Sequence, residues 1–413
     1  MELKKYKLGE LIQLQRGYDL SSSKMKDGNV PVAGSNGIIG YHDEARSNHP
    51  CITVGRSGSV GKVHYYEQAT WAHNTALFVK DFKGNNPKYL YYFLKNLHLD
   101  KMFDKGSSVV PSLDRKVVHS LNVPFIKDIS YQKRVVAILS NLDRKIALNR
   151  AINQNLEAMA KQLYDYWFVK FDFPNQEGKP YKSSGGTMEW NSQLKREIPV
   201  GWFAENICKV AKILSGGTPS KAVDDYWNGS IPFFGPTDCD GSIFQMDTAE
   251  HITENGLSHC ASLKFDEGTV IITARGSVGK LVIVGTPMAM NQSCYALESM
   301  KKEYEYLYYL TKQLIEYLKV KGSGSVFKSI ITQDIETSIL CIAPEDIVTK
   351  YCDRVRAMFL QIKKNSEEIQ TLIKQRDELL PLLLNGQVSV KQLNSDLLHL
   401  FIYYKEIYKI RKQ

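Results

Sequence analysis

Several kinds of signal are missing from these 413 residues. Cysteine is sparse and unpaired. The seven thiols, Cys51, Cys208, Cys239, Cys260, Cys294, Cys341 and Cys352, are odd in number and form no C-x-x-C pair. Neither a disulfide framework nor a zinc site is indicated, and a reducing compartment fits. Long apolar runs are also lacking: LLHLFIYY from Leu397 is far too short to span a bilayer, and MELKKYKLGE has no apolar signal core. A cytoplasmic protein without membrane contact is expected. His42, His49, His64 and His73 crowd one region without the H-x-x-x-H spacing of a helical metal site, so they read as ordinary surface or core residues.

A phosphate-binding loop is imitated twice and missing both times. GRSGSVGK at 55–62 and ARGSVGK at 274–280 look like one, but a P-loop needs G-x-x-x-x-G-K followed by Ser or Thr. Arg56 and Ala274 stand where the first glycine belongs, and Val63 and Leu281 follow the lysines. Each copy sits between β-branched runs, CITVG and KVHYY in the first, TVIITA and KLVIVG in the second, so GSVG reads as a glycine-rich hairpin turn.

What is present is a large internal repeat. A shift of about 217 residues also brings YLYYFLKN onto YLYYLTKQ, DKGSSV onto VKGSGS and LNVPFIKD onto LCIAPEDI. Behind the doubled loop the copies agree in length; ahead of it they differ, which marks the front segments as variable surface. With 43% hydrophobic and 23% charged residues the composition is that of a globular protein. The net charge of +9 is uneven: +6 over 1–128, +3 over 129–172, −4 over 173–345 and +4 beyond. That permits a polyanionic partner.

After each globular unit, apolar residues recur at helical spacing. In the first they are Leu139, Leu142, Ile146, Leu156, Leu163 and Trp167; in the second, Val355, Met358, Ile362, Leu372, Leu379 and Leu383. Stripes of about 38 residues predict helices about 57 Å long, the second stopped by Pro381 and Gly386. The connectivity predicts that the helices run antiparallel. Asn149 and Asn365 fall at equivalent stripe positions near the middle, either paired at a pseudo-twofold axis to fix register or, as the preferred reading, at the stripe's edge in water.

At this point the chain resembles the specificity subunit of type I restriction-modification systems. The resemblance is carried by LSNLDRKIALNRAINQNLEAMAKQLYDYWFVKFDFP (139–174), ILSGGTPSK (213–221), ITARGSVGK with MNQS, and IKQRDELLPLLLNGQ. It implies an α+β fold: two globular mixed α/β target recognition domains separated by two long antiparallel coiled-coil-like helices, in a pseudo-twofold repeat. The expected divisions are 1–128 and 201–345 for the recognition domains, 129–172 and 346–386 for the helices, 173–200 for a linker and 387–413 for a tail. It further implies a non-catalytic protein in which each domain reads half of an asymmetric bipartite DNA target. Partners would be double-stranded DNA, two modification subunits docked on the helices, and a restriction or translocating subunit where the system has one. S-adenosylmethionine, ATP and magnesium would belong to those partners, with no cofactor in this chain.

Arg reads guanine and Asn or Gln reads adenine in the major groove, while Lys, Ser and Thr hold phosphates. On that chemistry the candidates are Arg16, Ser22, Lys24, Arg56, Lys62 and Asn74 in the first unit, with base readers expected around SNGIIGYHDE. In the second they are Thr218, Ser220, Lys221, Arg275, Lys280, Asn291 and Gln292, with FFGPTDCDGSIFQ as the corresponding loop. Asn74 and Asn291 are aligned with one another, and a backbone-satisfying role is preferred for both. The helix-packing residues are those of the two stripes with Asn149 and Asn365.

Enzyme alternatives find little. NVPF at 122–125 lacks the first proline of a methyltransferase loop, and the D-x-K strings at 114–116 and 143–145 have no acidic partner for a nuclease metal. Beside the DNA-specificity subunit, a protein-only adaptor stays open, and more weakly a stand-alone methyltransferase.

Overall fold

The computed structural model describes residues 2–47, 49–103, 112–321 and 329–388. The tail from 389 lies outside them, as do DKGSSV and most of its repeat counterpart. The described residues fall into two compact units. The first takes those up to Arg144 and those from Leu372; the second is Lys145–Thr371.

In the first unit the sheets are built from β1 (Gln13–Arg16), β2 (Val30–Gly34), β3 (Gly37–His42), β4 (Cys51–Gly55), β5 (Val63–Tyr66), β6 (Trp71–Ala72) and β7 (Ala76–Asp81). One sheet has the order β1-β7-β4-β5, the other β3-β2-β6. The Tyr-rich helix α1 (Pro87–Asn96) starts where Asn86 caps the Tyr89 amide at 3.1 Å and proline takes the first turn. Helix α2 (Ile129–Tyr164) starts at Asp128, whose carboxylate accepts from the Ser130 and Tyr131 amides.

The second unit repeats the plan with β8 (Ala211–Ser215), β9 (Trp227–Phe234), β10 (Phe244–Gln245), β11 (Glu250–Ile252), β12 (Val270–Thr273), β13 (Leu281–Val284), β14 (Ala289–Met290) and β15 (Cys294–Ser299). Its sheets are β8-β15-β12-β13-β10 and β11-β9-β14. Helix α3 (Tyr304–Lys321) is the Tyr-rich counterpart of α1, and α4 (Glu345–Leu384) is the second long helix. The tyrosines Tyr89, Tyr92, Tyr306, Tyr308 and Tyr309 are buried, as core rather than a stacking surface.

The long helices pair antiparallel inside each unit. In the first, Tyr131 Oη donates to the Leu383 carbonyl at 2.6 Å and Arg376 meets Asp143 at 3.0 Å. In the second, Asn149 meets Glu368 and Asn153 meets Asn365. Leu139, Leu142, Ile146, Val355, Ile362, Leu372 and Leu379 are buried as the stripe requires. Leu156, Leu163 and Met358 are only half-buried, and Ala160, Tyr164 and Phe359 take the core positions instead. There the helices face the aromatic cluster of α3 as well as each other, so the contact widens beyond a two-helix seam.

Four sequence expectations need correction. Helix α2 ends at Tyr164, short of the expected 172: Asp165–Val169 form a wide turn closed by the Lys170 amide on the Asp165 carbonyl, which buries the consecutive Trp167 and Phe168. Pro381 does not break α4. In the last turn it forfeits one bond, and the stop is Gly386, at φ +67°, where the Gln387 amide reaches the Leu382 carbonyl and the Gly386 amide the Leu383 carbonyl. The stretch read as a linker is folded: Met188–Asn191 pairs antiparallel with Arg196–Pro199, and Asp172 accepts from the Ser183 amide and hydroxyl. Asn149 and Asn365 lie neither at a wet edge nor against each other. Both are buried and hydrogen-bonded to the facing helix, because a buried amide without a partner is costly.

Candidate nucleic-acid interface

The doubled loop is a hairpin turn in both units. The Gly55 amide reaches the Lys62 carbonyl and the Gly61 amide the Gly55 carbonyl; Thr273, Lys280 and Gly279 repeat both bonds. Gly61 (φ +78°) and Gly279 (φ +79°) supply the left-handed backbone the turn requires. Those amides are spent on the protein's own carbonyls, so this geometry is scaffold and not an anion cradle.

The flanking ladders fix which residues are equivalent. Arg56 and Ser57 amides share the Thr75 carbonyl, as Ala274 and Arg275 share that of Ser293. Thr75 therefore matches Ser293, which pairs Asn74 with Gln292 and His73 with Asn291. The alignment of Asn74 with Asn291 is corrected by one residue, because a two-residue strand such as β6 gives a sequence alignment little to hold.

The front loops prove equivalent despite their different sequences. The Tyr18 amide bonds the Ala72 carbonyl at 2.7 Å, and the Gly217 amide the Met290 carbonyl at 3.1 Å. Asp19 and Thr218 thus occupy matching places, and each is tied to the matching partner: Asn74 Nδ2 donates to Asp19 Oδ1, and Thr218 Oγ1 donates to Gln292 Oε1. The strut is shared; its chemistry is not.

In the first unit the strut gathers Arg16, 3.6 Å from Asp19, and Arg56, whose guanidinium reaches the Asn74 carbonyl. Lys62 Nζ donates to Asn36 Oδ1 at 2.9 Å, which joins the doubled loop to the turn between β2 and β3. Ser22 and Lys24 are exposed on a short turn, and the following Lys26 amide donates to His42 Nδ1 at 3.0 Å. Of the six first-unit candidates, Arg16 ends β1 and the other five lie on three loops, those between β1 and β2, β4 and β5, and β6 and β7.

In the second unit Thr218 and Gln292 form the strut, while Asn291 accepts from the Ser293 amide and lies over Gly235. Lys280 Nζ reaches the Cys239 carbonyl at 3.2 Å, tying the doubled loop to 235–243. Lys221 is drawn aside to Glu250, 2.7 Å away, and stacks over Trp227, whose indole donates to the Ser220 carbonyl. Arg275 is exposed at the tip. Asp19 was missed in the sequence, although it lies three residues from Arg16; Asn36 falls inside the SNGIIGYHDE segment expected to hold base readers but was not named there.

Chemistry other than binding finds no support. Burial pushes the Cys51, Cys208, Cys341 and Cys352 thiols up, Cys239 to about 11 and Cys294 to about 12, which removes the thiolate a nucleophile needs. NVPF is an edge strand paired with Lys4–Lys7, Asp114 caps a helix, and Asp143 is engaged by Tyr92 and Arg376. Among the described residues no group of three or more His, Cys, Asp or Glu side chains could hold a metal, and no helix is long and apolar enough to cross a membrane.

Two equivalent domains that carry Arg, Lys, Asn and Gln on matched but chemically different loops, beside paired long helices, define a two-domain recognition protein. Residues 1–158 and 199–372 each match the model of the type I restriction modification DNA specificity domain. The chain belongs to that family: it is a type I DNA-specificity subunit, a class that lacks catalytic activity and assembles with the other restriction-modification subunits on DNA. It is 26% identical to the type I restriction enzyme MjaIX specificity subunit of Methanocaldococcus jannaschii over 74% of this chain and 70% of that one. With the HindI specificity subunit of Haemophilus influenzae it shares 24% identity over 73% and 77%. The solved S subunit of the M. genitalium type I system shares the fold, with a TM-score of 0.56 at 16% identity over 93% of this chain and 96% of that one.

Proposed function

We propose that each unit reads one half of an asymmetric, bipartite duplex target, and that the long helices dock two modification subunits. S-adenosylmethionine, and ATP with magnesium where a translocating subunit joins, belong to those partners. The observation that carries the reading is the shared strut with unlike chemistry, Asp19–Asn74 in one unit and Thr218–Gln292 in the other. A common frame with different polar groups positions two readers alike while giving them different bases to read.

The test is a salt titration of the chain, complexed with its modification subunits, on random and target duplexes. Specific binding should weaken steeply with salt, with a log–log slope of about −0.9 per phosphate contact. A protein-only adaptor would show neither salt slope nor sequence preference. Exchange of residues 1–128 for a relative's should change one half of the methylated motif and leave the other.

A further inference from the structure

Strand β3 is the edge of its sheet, yet Ile38, Ile39 and Tyr41 on it are 49%, 51% and 54% exposed. An apolar edge strand left in water is an aggregation liability, so its exposure asks for an occupant. Its neighbours say which. Register against β2 slips between Val32, opposite Gly40, and Ala33, opposite Ile38, so Ile39 is the extra residue of a bulge. Bulges of this kind re-aim side chains beside functional sites. This one lays Ile39 over Gly34: its Cγ2 lies 2.9 Å from where a Gly34 Cβ would stand, and Thr75 Oγ1 lies 3.4 Å from that same point. Thr75 follows Asn74 of the strut. At the near end of the strand Asn36 holds Lys62, and at its far side the Met25 sulfur packs against Gly40 between the exposed Lys24 and Lys26, the latter facing Asp43 at 3.6 Å. The apolar residues are therefore continuous with the recognition loops and flanked by three lysines, which is the charge pattern of a groove reader between phosphates.

The second unit has nothing of the kind at the matching place. There the matching edge strand β11 pairs with β9 and presents Glu250 and His251, while its one apolar residue, Ile252, is buried.

We propose that the β3 bulge is the specificity element of the first unit. Ile38 and Ile39 contact thymine 5-methyl groups in the major groove, the apolar feature that distinguishes an A·T pair there, while Lys24, Lys26 and Lys62 hold the adjoining phosphates. The proposal rests on the reading of this chain as a DNA reader and adds the base class and the residues.

The test uses the complex with its modification subunits and the target found by mapping methylated bases. Thymines are replaced by deoxyuridine in one half at a time. Loss of each contacted methyl should weaken binding about fourfold when it lies in the first unit's half, and uracil in the other half should change nothing. In the Ile38→Ala/Ile39→Ala complex, whose melting curve checks the fold, the uracil penalty should vanish. A first half-site without thymine, a penalty that persists in the variant, or sequence preference with no penalty in the first half would overturn the proposal while leaving DNA reading intact. Loss of all sequence preference in the unaltered complex would remove both. A concentration-dependent doubling of mass, abolished by Ile39→Asp with discrimination unchanged, would assign the strand to a second copy and overturn it too.

Discussion

Asn365 Nδ2 donates to Asn153 Oδ1 at 2.8 Å, one helix to the other, while Gln361 Nε2 donates back to Asn365 Oδ1 at 2.7 Å. Asn149, beside this pair, donates to Glu368 at 2.8 Å, and Glu368 is also paired with Lys145. A polar layer inside an apolar seam fixes register at some cost in stability. Asn365→Leu should lower the unfolding free energy by about 1 kcal/mol, because the half-buried Asn153 loses its donor across the seam. Asn153→Leu/Asn365→Leu should recover part of that loss. Denaturant midpoints check both, and a double variant no more stable than the single one would argue against the layer as a unit.

The Asp143 carboxylate takes a second set of partners in the first unit, the Arg376 guanidinium at 3.0 Å and the Tyr92 hydroxyl at 2.6 Å. Burial works against the Arg376 charge, but its hydrogen bonds to Asp143 and Asp377 outweigh that and raise its pKa. Arg376→Ala should cost about 1–3 kcal/mol, and Tyr92→Phe about 1 kcal/mol, measured by chemical unfolding. The two losses should not add, since both act through one carboxylate.

His119 Nε2 accepts the Leu14 amide at 2.9 Å, which requires the neutral ring. Burial, followed by the nearby Arg115, holds its pKa below the ordinary histidine value, and burial with Lys62 does the same for His64. A depressed folded-state value means that the unfolded chain binds the proton more readily. The stabilisation is therefore complete above the unfolded value of about 6.5 and is lost as pH falls below it. Melting temperatures between pH 7.5 and 5.5 should fall, and His119→Gln, which keeps an acceptor without titrating, should flatten part of that slope.

Gly61 and Gly84 share positive φ values of +78° and +77° but not their surroundings. A Cβ on Gly61 would stand 2.1 Å from the Asp100 amide nitrogen, whereas one on Gly84 meets nothing within 4 Å. Gly84→Ala should cost about 1–2 kcal/mol, the strain of the left-handed backbone alone. Gly61→Ala should cost clearly more, and equal melting temperatures for the two would refute the steric account.

The strands around the doubled loop and the Tyr-rich helices were legible because periodicity and the repeat reported them directly, and the antiparallel pairing because the connectivity required it. The wide turn at Asp165–Val169 was not: Trp167 fits an α-helical stripe, and only the need to bury Phe168 beside it opens the turn. Pro381 was misread as a stop because its position relative to the last turn, set by Gly386, decides whether its missing amide matters. At the candidate interface the residue types were visible, but the pairing of Asn74 with Gln292 emerged only from carbonyls shared across the ladder. Ile38 and Ile39 gave no alternation that could reveal a bulge, since consecutive isoleucines suit a buried strand equally well.

The strut between the front loop and the turn after the short strand joins side chains 55 residues apart in one unit and 74 in the other. Altering either end alone strands its mate, so a gradual drift of preference must pass through weakened intermediates. Transplanting a whole unit carries both ends together. This architecture thus favours acquiring a new address in one step over editing an old one letter by letter.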